Sequence, residues 1–330
     1  MTIWTRDLPH LLAKAYAMAG GVLPEDPEAR LIDLVEWLLR IPTRSPRKVL
    51  VSDVLLGQKI LTPYEIAGIQ RLQKAIGLGH DLRPFLGDRT RSIRNRSDEK
   101  KDARQQNDLF FSDWGLHHFH LGADLANNGR RVGRTRRVLI AHLTATEAYL
   151  LDVVAHGKGS PDTWGHKSYL ETLERNWPEV LVPYEMKRVL PPQKHGGLSS
   201  RDHLDLRRGG VNAMIEINGR AFMGPGLGIS TDGSSTKAVR LADKIRDELD
   251  AAEKVFRDLK PDDEANLFVA KDGSLGFFNP IENSALSVLP SRHNEYKATE
   301  FFRRLMDETG IISEMLDGSI WLPPAATENS

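Results

Sequence analysis

A chain of 330 residues is long enough for two or three domains, and its 40% apolar and 27% charged residues are typical of a globular protein. The 45 basic and 45 acidic residues cancel, so overall charge alone does not indicate a nucleic-acid partner, and the absence of cysteine excludes disulfides, thiolate metal sites and cysteine nucleophiles. No apolar run has the length of a membrane span or a signal-peptide core, so we expect a cytoplasmic location and no membrane partner.

Residues 1–105 predict a helical N-terminal domain that ends in a basic linker. Asp26 and Pro27 place a cap and a first-turn proline ahead of a one-sided apolar stripe. Thr62-Pro-Tyr-Glu65 is a capping box that opens another helix. Basic side chains outnumber acidic ones over 89–104, which is typical of an exposed linker.

Residues 106–190 predict a small antiparallel sheet with one helix. Runs rich in Val, Ile, Leu and Tyr indicate three strands, over 116–121, 138–143 and 148–156. A short turn joins the last two strands as a hairpin. A helix over 163–176 follows, and Pro178 stops it.

Residues 191–330 predict a C-terminal α+β domain with hairpins and a long helix. Asn218-Gly219 and Asp272-Gly273 are turn pairs that predict two hairpins. Apolar residues spaced alternately four and three apart form one narrow seam on a helix over 238–259. The last predicted elements are a helix and a short strand, near 298–306 and 320–322. The whole chain is therefore predicted to be α+β.

A glycine-rich loop over 224–233 precedes the long helix, as phosphate-binding loops do. The Walker pattern needs lysine and a hydroxyl after the last glycine, but Ser234 and Ser235 stand there. The pattern therefore favours a structural loop over a nucleotide site.

Six of the eleven histidines fall between His117 and His166. Residues two apart on a strand share a face, so His118 and His120 point one way, whereas His117 points towards the core. His156 and His142 end their strands, and Leu150, Asp152 and Val154 are predicted to share the face of His156. Imidazole titrates near neutral pH and is also a common metal ligand, so this segment is the candidate chemical centre.

The first interpretation is metal-free RNA cleavage, with RNA as partner and no cofactor. His118, His120, His156 and His142 are the acid/base candidates. Five arginines occur in eight residues between 130 and 137. The predicted phosphate contacts are Arg134, Arg136, Arg137 and Lys158, and the residues predicted to stack bases are Trp164 and Tyr169.

Two other interpretations stay open. His118 and His120 form a His-x-His pair, which could bind a metal in a metal-dependent hydrolase. A non-catalytic module is the second alternative, in which the 238–259 seam docks a partner helix.

The order of short strands with terminal histidines, an arginine-rich turn and a closing helix over about 110–180 resembles the small ribonuclease domains grouped as RelE, barnase, EndoU and colicin-type nucleases. The resemblance is architectural and carries over no catalytic residue, although the abundance of histidine is nearest to the EndoU style. It implies a bacterial toxin or phage-defence ribonuclease with flanking domains that regulate or target it. An inhibitory protein or a second copy of the chain is the further partner expected.

Overall fold

The computed structural model describes residues 2–57, 61–93, 107–125, 131–157, 159–189, 197–270, 272–289, 296–309 and 320–321. It combines helices and strands, so the predicted α+β class is confirmed. Among these residues, no helix has both the length and the apolar composition that a membrane span requires.

Two compact units make up the chain, and each is assembled from separate segments. The terminal unit consists of Met1–Leu38, Ser92–Lys100 and Ala238–Ser330, and the central unit consists of Leu39–Arg91 and Lys101–Lys237. These units cut across the predicted consecutive domains, 1–105, 106–190 and 191–330. The reason is long-range pairing, since an early strand joins the central sheet and the first helix packs against a late strand.

The helices are, in chain order, α1 (Ile3–Met18), α2 (Pro27–Arg40), α3 (Asp53–Leu56), α4 (Pro63–Leu78), α5 (Asp88–Arg91), α6 (Leu109–Trp114), α7 (Ser168–Asn176), α8 (Ser200–Arg208), α9 (Thr236–Leu259) and α10 (Lys297–Thr309). The strands are β1 (Lys48–Val51), β2 (Leu116–His120), β3 (Arg137–Leu143), β4 (Glu147–Ala155), β5 (Ile215–Ile217), β6 (Arg220–Phe222), β7 (Asn266–Ala270), β8 (Leu275–Asn279), β9 (Ser284–Leu289) and β10 (Ile320–Trp321).

The central unit is built on a four-stranded sheet of order β1-β4-β3-β2. The predicted antiparallel pairing of β2, β3 and β4 is present. The prediction of a purely antiparallel sheet is wrong, because β1 pairs in parallel with β4 from Lys48 opposite Glu147 to Val51 opposite Leu150. A strand of four residues carries too short a pattern to be recognised locally.

Alternate residues of β2 lie on opposite faces of the sheet. Phe119 and Leu121 join a buried apolar cluster with residues of α4, β3 and β4. Leu116 belongs to a second cluster on the opposite face, which includes residues of β3, β4 and α7. His118 and His120 have the same parity as Leu116 and lie on that second face.

A β-bulge in β4 changes which residues share a face. Ile140 pairs with Asp152, while the residue after it on β3 pairs with Leu150, so Leu151 is an additional residue on β4. Leu150 lies in the first cluster and Leu151 in the second. The prediction that Leu150 shares a face with His156 is therefore wrong, since the bulge shifts the alternation by one residue.

Helix α4 approaches the sheet so closely that one position excludes a side chain. A Cβ added at Gly68 would lie 1.9 Å from the Leu121 carbonyl oxygen, whereas one at Gly77 on the same helix meets nothing within 4 Å. We expect Gly68→Ala to destabilise the protein by about 1–3 kcal/mol and Gly77→Ala to be neutral or stabilising. Urea unfolding of both variants tests this, and equal stability of the two would contradict the close approach.

The terminal unit contains a second sheet of order β10-β7-β8-β9. The apolar seam of α9 is buried from Ala238 to Phe256, although Leu259 at its end is exposed, and the Phe256 ring lies 4.7 Å from the Phe277 ring of β8. The same helix accepts the Ile3 and Ala298 amides through Glu253 and Glu248. The seam therefore packs in this unit's own core. It is not exposed to dock a partner helix, as the non-catalytic alternative requires.

Candidate functional site

Three imidazoles meet in one cleft of the central unit, which has a volume of about 750 Å³. His118 and His120 come from β2, and His156 directly follows β4, whose bulge turns it to the same face. The His120 and His156 ring centroids are 5.5 Å apart. Four guanidinium groups and two carboxylates also line the cleft, from Arg89, Arg134, Arg207, Arg208, Asp88 and Asp108.

The His118 ring lies beside a buried carboxylate. Its Nδ1 is 3.7 Å from Asp108 Oδ2. Asp108 also accepts hydrogen bonds from the Thr90 hydroxyl at 2.7 Å and the Phe111 amide at 3.2 Å, the latter as the N-cap of α6. Burial opposes ionisation of Asp108, but the His118 charge and these hydrogen bonds hold its pKa below the ordinary value.

His120 and His156 favour the neutral form. Burial, followed by the neighbouring rings and Arg134, lowers the pKa of His120 to about 4. Burial also lowers the pKa of His156, and His118 and Arg134 add to this. The His156 Nδ1 lies 3.1 Å from the Arg136 carbonyl oxygen, which can only accept, so Nδ1 donates and Nε2 carries the lone pair. The cleft thus joins neutral imidazoles to one ring beside an anion.

Arg134 is held by a shared carboxylate. Its Nη2 lies 2.8 Å from Asp88 Oδ2, and Asp88 also pairs with Arg91 at 2.8 Å and Arg131 at 3.0 Å. Asp88 therefore holds the Arg134 guanidinium at the wall of the cleft. An anion would be attracted to this guanidinium.

Some predicted site residues lie elsewhere. His142 lies on the same face of the sheet as His120. It is four positions along β3 from Val138, which pairs with His120, so the two histidines are roughly 13 Å apart. Its ring is buried, and Nδ1 donates to the Gly115 carbonyl at 3.1 Å. Tyr169 is only 2% exposed and its hydroxyl donates to the Thr163 carbonyl, so it cannot stack on bases. Neither residue lines the cleft.

The predicted phosphate contacts are only partly brought together. Arg134 lines the cleft, but Arg136 and Arg137 do not. Arg137 alternates away from the cleft face and pairs with Glu65 of α4 at 3.0 Å. Lys158 lies outside the described residues.

Sequence reasoning missed three residues that shape the site: Asp88, Asp108 and Arg207. Arg207, buried on α8, donates through Nε to Asp113 Oδ2 at 2.7 Å and through Nη1 to the Trp164 carbonyl. Helix α8 was detectable, because Ser199 and Asp202 form a capping box. The pairing was not, since 94 residues separate Arg207 from Asp113.

The glycine-rich loop is used for packing. The Gly226 and Gly228 amides donate to the Asp113 and Ser112 carbonyls at the end of α6, so they are not available to a phosphate. A Cβ at Gly226 would lie 2.4 Å from the Ser112 carbonyl oxygen. This geometry agrees with the structural interpretation of the loop.

The buried histidines predict acid sensitivity of the fold. Burial is the main cause that lowers the folded-state pKa of His117 to about 3 and of His142 to about 4, from 6.5. Between these values the unfolded chain binds more protons, so the free energy of unfolding falls as pH drops from about 6.5 towards 4, by up to about 1.4 kcal/mol per pH unit for each ring. Urea unfolding at several pH values measures this slope, which His117→Phe should reduce. A flat profile would contradict the expectation.

Among the residues that the structure describes, no three His, Asp or Glu side chains are grouped so that they could hold a metal ion. His118 and His120, the ligands of the metal-hydrolase alternative, therefore have no described third ligand.

No family model, no curated protein and no solved structure matches this chain. The resemblance to the RelE, barnase, EndoU and colicin-type ribonuclease domains accordingly remains an expectation from the sequence.

Proposed function

We propose that the central unit is a metal-independent endoribonuclease. The observation that carries the proposal is the meeting of His118, His120 and His156 in one cleft that is also lined by arginine. Acid/base cleavage of RNA needs one imidazole that accepts a proton, one that donates a proton, and a cation near the phosphate.

The chemistry assigns a role to each group. Neutral His156 removes the proton of the 2′-hydroxyl through Nε2, while the 2′-oxygen attacks phosphorus. His118, beside the Asp108 carboxylate, acts as the general acid and gives a proton to the 5′-oxygen as the P–O5′ bond breaks. The products are a 2′,3′-cyclic phosphate and a 5′-hydroxyl end. Arg134 stabilises the extra negative charge on the pentacoordinate phosphorus, and His120 hydrogen-bonds a phosphate oxygen or relays a proton.

Incubation of the full chain with a labelled RNA in excess chelator tests the proposal. We expect cleavage that leaves 2′,3′-cyclic phosphate ends, and none where the scissile nucleotide is 2′-deoxy. Intact RNA would overturn the proposal. If chelator abolishes cleavage and zinc or manganese restores it, the metal-hydrolase alternative replaces it.

A further inference from the structure

The two β2 imidazoles face a position in the cleft wall that has no side chain. A Cβ built on Gly87 would lie 3.3 Å from His118 Nε2 and 4.0 Å from His120 Nε2. Gly87 does not have the positive φ that would require glycine for the backbone. At 3.3 Å a Cβ would be closer to His118 Nε2 than most side-chain contacts allow, so a side chain at this position would crowd the ring. Glycine therefore keeps this wall of the cleft clear of a side chain that would press on the imidazoles.

A fixed aromatic ring stands next to these imidazoles. The Trp164 ring centroid is 4.9 Å from that of His118 and 6.3 Å from that of His156. Its carbonyl accepts from buried Arg207, and the following Gly165 abuts the Ser200 carbonyl, where a Cβ would come within 2.0 Å. The indole is thus held on the cleft wall beside the imidazoles.

The imidazoles are recessed below the surface. The His118 side chain is 17% exposed and His120 is 7% exposed. In a double helix the bases are paired and stacked, so none is free to turn into a narrow cleft beside its phosphate. An unpaired strand can splay a base onto an aromatic ring.

We propose that the cleft selects single-stranded RNA, with the reacting phosphate at His118 and His120 and a flanking base stacked on Trp164. This inference rests on the proposed function and names its substrate class. Trp164 supplies binding, and Gly87 keeps a side chain away from the imidazoles that meet the phosphate.

Binding of a 2′-O-methyl RNA tests the inference without cleavage, because this RNA lacks the attacking hydroxyl. Fluorescence anisotropy compares the single strand with the same strand annealed to its complement, at one fixed salt concentration. We expect the single strand to bind roughly 10-fold tighter or more, and Trp164→Leu to weaken its binding roughly 5- to 150-fold. Trp164→Phe should retain most of the affinity.

Gly87→Val places a side chain against the His118 ring and should weaken binding, and urea unfolding measures whether the variant is folded. If Gly87→Val fails to fold, the RNA affinities of Gly87→Ala, Trp164→Leu and Trp164→Phe test the inference instead. Equal affinity for single strand and duplex, or an unchanged affinity in folded Trp164→Leu, would overturn the inference. Selective binding with no cleavage of ordinary RNA would support the single-strand site and overturn only the ribonuclease proposal.

Discussion

His156→Ala is expected to slow RNA cleavage by roughly 10²–10⁴-fold, the usual contribution of a positioned general base. The backbone fixes this ring, because Nδ1 donates to the Arg136 carbonyl at 3.1 Å and leaves Nε2 for the substrate. The ring is only half-buried, so folding should change little. His118→Ala should reduce the rate by a similar factor, since it removes the proton donor beside Asp108.

His80→Ala is the matched control, because His80 is an exposed histidine of the same unit that does not line the cleft. The parent's rate should fall in acid, where His156 and then His120 take up protons. Burial lowers both pKa values, so this fall begins at a lower pH than for free imidazole. Full activity of either cleft variant in a folded protein would remove these residues from the mechanism.

Asp113→Ala is expected to lower the free energy of unfolding by about 3–5 kcal/mol, because it leaves a buried guanidinium without its counter-charge. The Arg207 and Asp113 side chains are 3% and 11% exposed, and their contact is 2.7 Å. The Arg207 guanidinium also lies 4.4 Å from the centroid of the Trp114 ring, so water cannot easily replace the carboxylate. Urea unfolding with the linear extrapolation measures the loss.

Asp205→Ala supplies the comparison, on the helix that carries Arg207. Asp205 pairs with Arg201 at 2.9 Å, but both side chains are more than half exposed, and such pairs contribute about 0–1 kcal/mol. The double change Asp113→Leu with Arg207→Met should recover much of the loss, since it removes both buried charges. Equal losses of unfolding free energy for Asp113→Ala and Asp205→Ala would contradict the larger contribution expected of the buried pair.

Local rules predicted the parts of the fold that neighbouring residues determine. The capping box from Thr62 to Glu65 opens α4 as expected, and the alternation in β2 correctly separates His118 and His120 from the core side chains. The hairpin at Asn218-Gly219 is also present, with both residues at positive φ.

The other features of the fold and the site depend on contacts between segments that are distant in the sequence. The parallel pairing of β1 with β4, and the ion pair between Arg207 and Asp113, join segments about a hundred residues apart, and neither leaves a local pattern. The bulge at Leu151 adds one residue that period-two reasoning cannot foresee, and it brings His156 to the cleft face. The types of residue in the site could therefore be predicted, whereas which individual residues meet in the cleft depends on the three-dimensional fold.

Asp108 contributes to the central unit both as a helix cap and as a negative charge beside a histidine. One carboxylate both starts a helix and opposes the charge of a neighbouring ring. Amidation would remove the negative charge beside the ring but leave an oxygen that still caps the helix, whereas loss of the side chain would remove both. The exchange of Asp108 for Asn would therefore separate the two contributions, and the exchange for Ala would lose both together.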